Sequence, residues 1–179
     1  MNEPPKTPGQ HRWPSSGTPQ GDDPFAWVTA EGFRRVSEIN VRGVVNGVVA
    51  ARHLPPHQRP ADIVITASVA GVAALPVDPL YSMSKHAVIG FARSIAPTLD
   101  GVGIRLQVIC PGGVDTALPP PDLRIAGRVF APASYIADGV LHALEVGAAG
   151  DVWMATDAGL PYWKYEFTPI PRAAPVPVD

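Results

Sequence analysis

A tyrosine and a lysine stand four residues apart, Tyr81 and Lys85, in the stretch LPVDPLYSMSKHAVIGFARSIA. On a helix that spacing puts both side chains on one face, about one turn apart. A free phenol titrates near pH 10 and exchanges protons poorly at neutral pH. A neighbouring ammonium favours the phenolate and pulls that value down. Reaching neutrality takes about three units, roughly 4 kcal/mol, which is more than one exposed pair supplies. A desolvated pocket and a second positive charge would help. The same spacing also suits a surface pair on an ordinary helix, so the reading turns on what lies nearby.

Two segments could supply companions. Ser68 closes the run DIVITAS, thirteen residues before Tyr81. A hydroxyl at the carboxyl end of a parallel strand stands where ligands bind in α/β sheets, and it can donate to a carbonyl oxygen as negative charge develops there. It can equally stabilise a turn. The next apolar run, GIRLQVICPGGVDT, ends in Pro111, Gly112 and Gly113, with Thr116 beyond. Proline stops a strand ladder, and glycines let backbone come close to a ligand. By itself this is also an ordinary turn.

These residues need elements to hold them. Thr29 can cap a helix from about Ala30, and Phe33, Val36, Val44 and Val48 recur at helical intervals until Pro55 and Pro56. DIVITAS reads as a strand buried on both faces. A second helix spans about 79–99, and GIRLQVICPGG is a second buried strand. Residues 117–130 read as a loop, whose Leu118, Leu123, Ile125 and Phe130 suit either an apolar lid or core plugs. Pro132 suits the first turn of a third helix, with Ile136, Val140, Leu141 and Leu144 facing inwards, and GDVWMATD is a third strand. Alternating helices and strands argue for an α/β layer with parallel strands and right-handed crossovers.

Composition narrows the classes. The chain has 179 residues, 46% of them hydrophobic, enough for one domain. A net charge of −2 gives no basic field for nucleic acid. The single cysteine, Cys110, reads as a buried strand residue and offers no internal disulfide. No run is long and apolar enough for a membrane span, and none at the N-terminus resembles a signal peptide, so a cytoplasmic protein is expected. His53 and His57 straddle Pro55 and Pro56 and cannot share a helix face, so no metal site is expected. A serine hydrolase would need G-x-S-x-G, which is absent. Six of the 22 prolines fall in residues 1–24, which read as a disordered tail. Residues 25–167 form the domain, and 168–179 are a second proline-rich tail.

Together, ITASVAG, YSMSK and ICPGGVDT resemble, in order and at matching intervals, segments of the short-chain dehydrogenases/reductases, and INVRGVV resembles that family's mid-helix asparagine segment. The resemblance runs from about Asp22 to Phe167. It implies Tyr81 as general acid/base, with Lys85 lowering its pKa and holding the nicotinamide ribose. Ser68 would polarise the substrate carbonyl, and Asn40 would support a water-mediated proton relay. Cofactor contacts would come from Tyr81, Lys85, Pro111, Gly112, Gly113, Val114 and Thr116. The implied reaction is hydride transfer between NAD or NADP and an alcohol or ketone. The two long helices, about 27–53 and 79–99, would form the paired-helix interface of a homo-oligomer.

One part of the family pattern is missing. No TGxxxGxG turn follows a strand; SGTPQGDD lacks a preceding strand and runs into acidic residues, and GVGIRL precedes a strand. Such a turn seats the pyrophosphate on a helix N-terminus. The expected fold is therefore a partial Rossmann-like, doubly wound parallel sheet: its C-terminal half, with about three strands and flanking helices. Cofactor binding would be weak, and the alternative is a catalytically silent remnant acting as an interaction module.

Overall fold

The computed structural model describes Phe25, residues 28–116 and residues 130–171. The expected tail over 1–24, residues 172–179 of the second tail, and Leu118, Leu123 and Ile125 lie outside the described residues.

Thr29 caps the first helix as its sequence predicts, its hydroxyl accepting the Gly32 N–H at 3.0 Å. Helix α1 (Ala30–Val36) passes directly into a π-helical segment, Ser37–Arg42, and then into α2 (Gly43–Arg52). The expected single regular helix thus carries a wider stretch in its middle, a feature frequent at functional sites. Val36 and Val48 are buried, but Phe33, expected to face inwards, is exposed.

Four strands make the main sheet: β1 (Ala61–Thr66), β2 (Ile104–Pro111), β5 (Val152–Ala155) and β6 (Trp163–Lys164), in that spatial order. The first three are parallel, with Ala61 opposite Ile104 and Val108 opposite Val152. The fourth returns antiparallel and was not expected; its two residues are too few to show a pattern. The centre of the core is β2, where Ile104, Leu106, Val108, Ile109 and Cys110 are wholly buried. By contrast, β1 is only half-buried, which corrects the expectation of a strand covered on both faces. Among the described residues it is an edge, with a neighbour on one side alone.

Helix α3 (Pro79–Asp100) lies against β2 and packs Val88, Ile89, Ala92, Ala96 and Leu99 into the core. Helix α4 (Ala133–Val146) covers the other face, meeting Ile109 and Trp153 through Ala143. Its buried residues are Gly139 and Ala143, with Ile136, Val140 and Leu144 half-buried. Leu141, expected inside, is 63% exposed. Consecutive residues lie about 100° apart on a helix, so Val140 and Leu141 cannot both face one narrow contact. Two short strands, β3 (Val114–Asp115) and β4 (Ala131–Pro132), pair in parallel and bring the start of α4 beside the end of β2.

Candidate active site

The parallel strands and α3 converge at the carboxyl edge of the sheet. Ser68 follows β1, where the ladder continues through Ala67 N–H to Ile109 C=O at 2.8 Å. The Ser68 hydroxyl accepts the Ala70 N–H at 3.1 Å and so starts a single 3₁₀ turn, Val69–Gly71. This is the turn-stabilising role open to a serine here. Gly71 then passes so close to α3 that a side chain would strike the Lys85 carbonyl. A bond from Ser82 Oγ to Ala70 C=O, 2.8 Å, fastens the turn to α3.

Tyr81 sits in the first turn of α3, half-buried, and Lys85 one turn on. The Lys85 ammonium donates to the Thr66 carbonyl at 3.1 Å and lies 5.6 Å from the centre of the Tyr81 ring. Burial, the largest influence, pushes the Tyr81 phenol above its ordinary value; an interaction with the Ser68 hydroxyl pulls it back, and the Asp78 charge adds to the rise. Burial also lowers Lys85. The electrostatics thus correct the expectation that Lys85 makes the phenol acidic. Desolvation opposes the charged form of both groups, and the ammonium is bound at Thr66.

Ser68, Tyr81 and Lys85 line one cleft of about 440 Å³ with Thr66, Ala67 and the loop after β2, namely Pro111, Gly112, Gly113, Val114 and Thr116. Gly112 is pressed against the Thr156 carbonyl so closely that no side chain fits, and its N–H donates to Ala155 C=O at 3.0 Å. The opposite wall is apolar: Ala133, Ile136, Ala137 and Val140 of α4. Sequence reasoning missed this wall, because it read α4 only as a core helix and left the loop over 117–130 open between an apolar lid and core plugs. Asp78 and Cys110 were also missed as neighbours of Tyr81. The Asp-Pro pair at 78–79, a capping residue followed by proline at the first helical position, was a readable signal for Asp78.

Asn40 is not among the residues that line the cleft. From the π-helical segment its side-chain N–H₂ donates to Ser84 Oγ at 3.1 Å, and Ser84 Oγ donates to the Tyr81 carbonyl at 2.7 Å. Asn40 therefore reaches Tyr81 through a second side chain. Among the described residues no group of three His, Cys, Asp or Glu could hold a metal ion, and no helix is long and apolar enough to cross a membrane.

A model of the short chain dehydrogenase family matches residues 15–122. The chain belongs to this family. The 2-(R)-hydroxypropyl-CoM dehydrogenase of Xanthobacter autotrophicus is 35% identical over 125 residues, covering 62% of this chain and 49% of that protein. The 1-deoxy-11-beta-hydroxypentalenate dehydrogenase of Streptomyces exfoliatus is 35% identical over 135 residues, 74% of this chain and 45% of that one. Among solved structures, a short chain dehydrogenase from Burkholderia cenocepacia J2315 in complex with NADP superposes with a TM-score of 0.61 at 26% identity, over 74% of this chain and 59% of that chain. The short-chain dehydrogenase chain described here thus spans about half the length of the curated relatives it matches, and its α/β, partly Rossmann-like architecture is theirs.

Proposed function

We propose that this short-chain dehydrogenase chain carries the carbonyl- and proton-handling half of an NAD(P)-dependent oxidoreductase that interconverts an alcohol and a ketone. What supports the reading most is that one cleft is lined by Ser68, Tyr81 and Lys85 together with the Gly112–Gly113 loop and Thr116. The cleft's volume suits a nicotinamide and a small carbonyl compound. The donors along it, Thr116 and Lys85 above all, suit a carboxamide and a ribose hydroxyl, and glycine at 112 and 113 lets backbone approach the ring. Pro111 and Val114 complete that wall. No described strand-to-helix turn carries the glycines that would seat a pyrophosphate, so binding through this chain alone rests on the nicotinamide end.

When bound, the nicotinamide supplies or accepts the hydride. Ser68 donates a hydrogen bond to the carbonyl oxygen. Tyr81 gives its proton to that oxygen as the carbonyl becomes an alcohol, and takes it back in the reverse direction. The raised phenol value favours the proton-bearing form, which is the form that reduction needs. Lys85 holds the ribose side, and Asn40 acts by way of Ser84 on the turn that carries Tyr81.

The test is consumption of NADH or NADPH with small ketones, alongside a fluorescence titration of each nucleotide. Tyr81→Phe is expected to lower kcat/KM by about 10²–10⁴-fold, the usual worth of a general acid, with its circular dichroism unchanged. Absence of nucleotide binding up to millimolar concentration overturns the enzyme reading for this chain.

A second reading is an oligomerisation module. Val48, Val49 and His53 of the first helical pair face Phe91 and Ile95 of α3 across an apolar groove of about 190 Å³. Association of two copies through these helices without turnover would favour it, and a monomer by light scattering would remove it.

A further inference from the structure

Among the described residues the buried polar side chains are Ser68, Asp78, Ser82, Ser84 and Gln107. Four of them have their hydrogen bonds made: Ser68 with Ala70, Ser82 with Ala70, Ser84 with Asn40 and Tyr81, and Gln107 with Ala143 and Trp153. The fifth, Asp78, is 2% exposed and is the one carboxyl in the set. Its Oδ1 accepts the Tyr81 backbone N–H at 3.0 Å, while its Oδ2 is buried without a partner.

Capping alone does not account for this residue. Serine, threonine or asparagine caps a helix about as well as aspartate and buries no charge. A carboxylate with one oxygen unbonded is an expensive choice for a cap. It stands three residues before the phenol on which the proposed reaction depends.

We propose that Asp78 is a positioning residue for Tyr81: Oδ1 fixes the turn that carries the phenol, and the unpartnered Oδ2 keeps a negative charge near it that holds the phenol in its proton-bearing form. The idea rests on the reaction proposed above only for its purpose; the coupling between the two groups exists with or without turnover. Burial raises the Asp78 carboxyl to about 6, against the lowering effect of the Tyr81 N–H, so at neutral pH it is charged. That charge adds to the rise that burial gives Tyr81. The other titratable groups of this cluster are Lys85 on α3 and Cys110 on β2. Cys110 is raised to about 11 by burial and stays a neutral thiol. From the turn after β1 come Ser68 and the Ala70 carbonyl, which do not titrate.

The experiment is an ultraviolet tyrosinate titration of the full chain, with Tyr81 assigned by difference from Tyr81→Phe. Asp78→Asn keeps an acceptor for the Tyr81 N–H and removes the charge. It is expected to move the Tyr81 midpoint down by about half a unit to one unit. Asp78→Ser, which caps without charge, is expected to shift it the same way and serves if the asparagine variant does not fold. An unchanged or raised midpoint in the folded variant overturns the proposal. If the shift is found but no ketone is reduced, the coupling stands and the reaction assignment fails, so the two outcomes are separable.

Discussion

Two strands deliver residues to the cleft, and they are held in different ways. β2 lies inside the sheet, paired on both sides and wholly buried through most of its length, and it ends at Pro111–Gly113. β1 is an edge among the described residues, half-buried, and it ends at Ser68. The loop after β2 is placed by the core of the sheet. The Ser68 turn is placed largely by α3, through Ser82 to Ala70, Lys85 to Thr66, and the close contact at Gly71. The helix that carries Tyr81 therefore also sets Ser68, so the two hydroxyls share one support even though the strand leading to Ser68 is the weaker one.

The largest test of that difference is in the core. Leu106→Ala in β2 is expected to cost about 2–5 kcal/mol in denaturant unfolding, the usual range for a buried leucine. Ile63→Ala in half-buried β1 is expected to cost about half as much. Equal losses would mean that the edge strand is covered as well as the central one.

Next comes pH. The folded chain keeps a proton on Asp78 up to about 6, where the unfolded chain gives it up near the ordinary 3.8. The contribution to stability is therefore full below the lower value and is lost as pH rises through the upper one, by up to about 3 kcal/mol. The reading is the difference between the chain and Asp78→Asn, measured as Tm from pH 3.5 to 7.5. The variant is expected to gain on the parent across that interval; parallel curves would remove Asp78 as the cause.

The smallest effect sharpens the comparison most. Ser82→Ala cuts the tie between α3 and the Ser68 turn and is expected to cost about 1 kcal/mol, more if the buried Ala70 carbonyl finds no other donor. Amide exchange should quicken at Gly71 and Val72 and stay unchanged along β2. Uniform change in both strands would show that the turn is not separately fastened.

Much of this arrangement is legible in the sequence. Thr29 as a cap, the parallel order of the three main strands, and Tyr81 with Lys85 on one helix all follow from short-range pattern, which backbone geometry obeys directly. What escaped depends on contacts distant in sequence. Phe33 and Val36 stand three residues apart on one short helix, and only the way α1 meets α3 decides which of them is buried. Leu141 is as hydrophobic as Val140, and only the direction of α4 over Ile109 decides between them. The sense of the Tyr81 shift differs from expectation because the desolvated pocket, expected to strengthen the pull of the ammonium, penalises the phenolate directly. Asp78 carried a visible cap signature, but its burial could not be read from the residues beside it.

The pairing of β3 with β4 has a last consequence. It is only two residues long on each side, yet it pins the chain where it leaves the cleft at Val114 and where it re-enters at Ala131. A graft of different length or polarity set between these two anchored points would meet the same two posts. The hydroxyls and the ammonium, tied to one another through α3, would keep their mutual spacing.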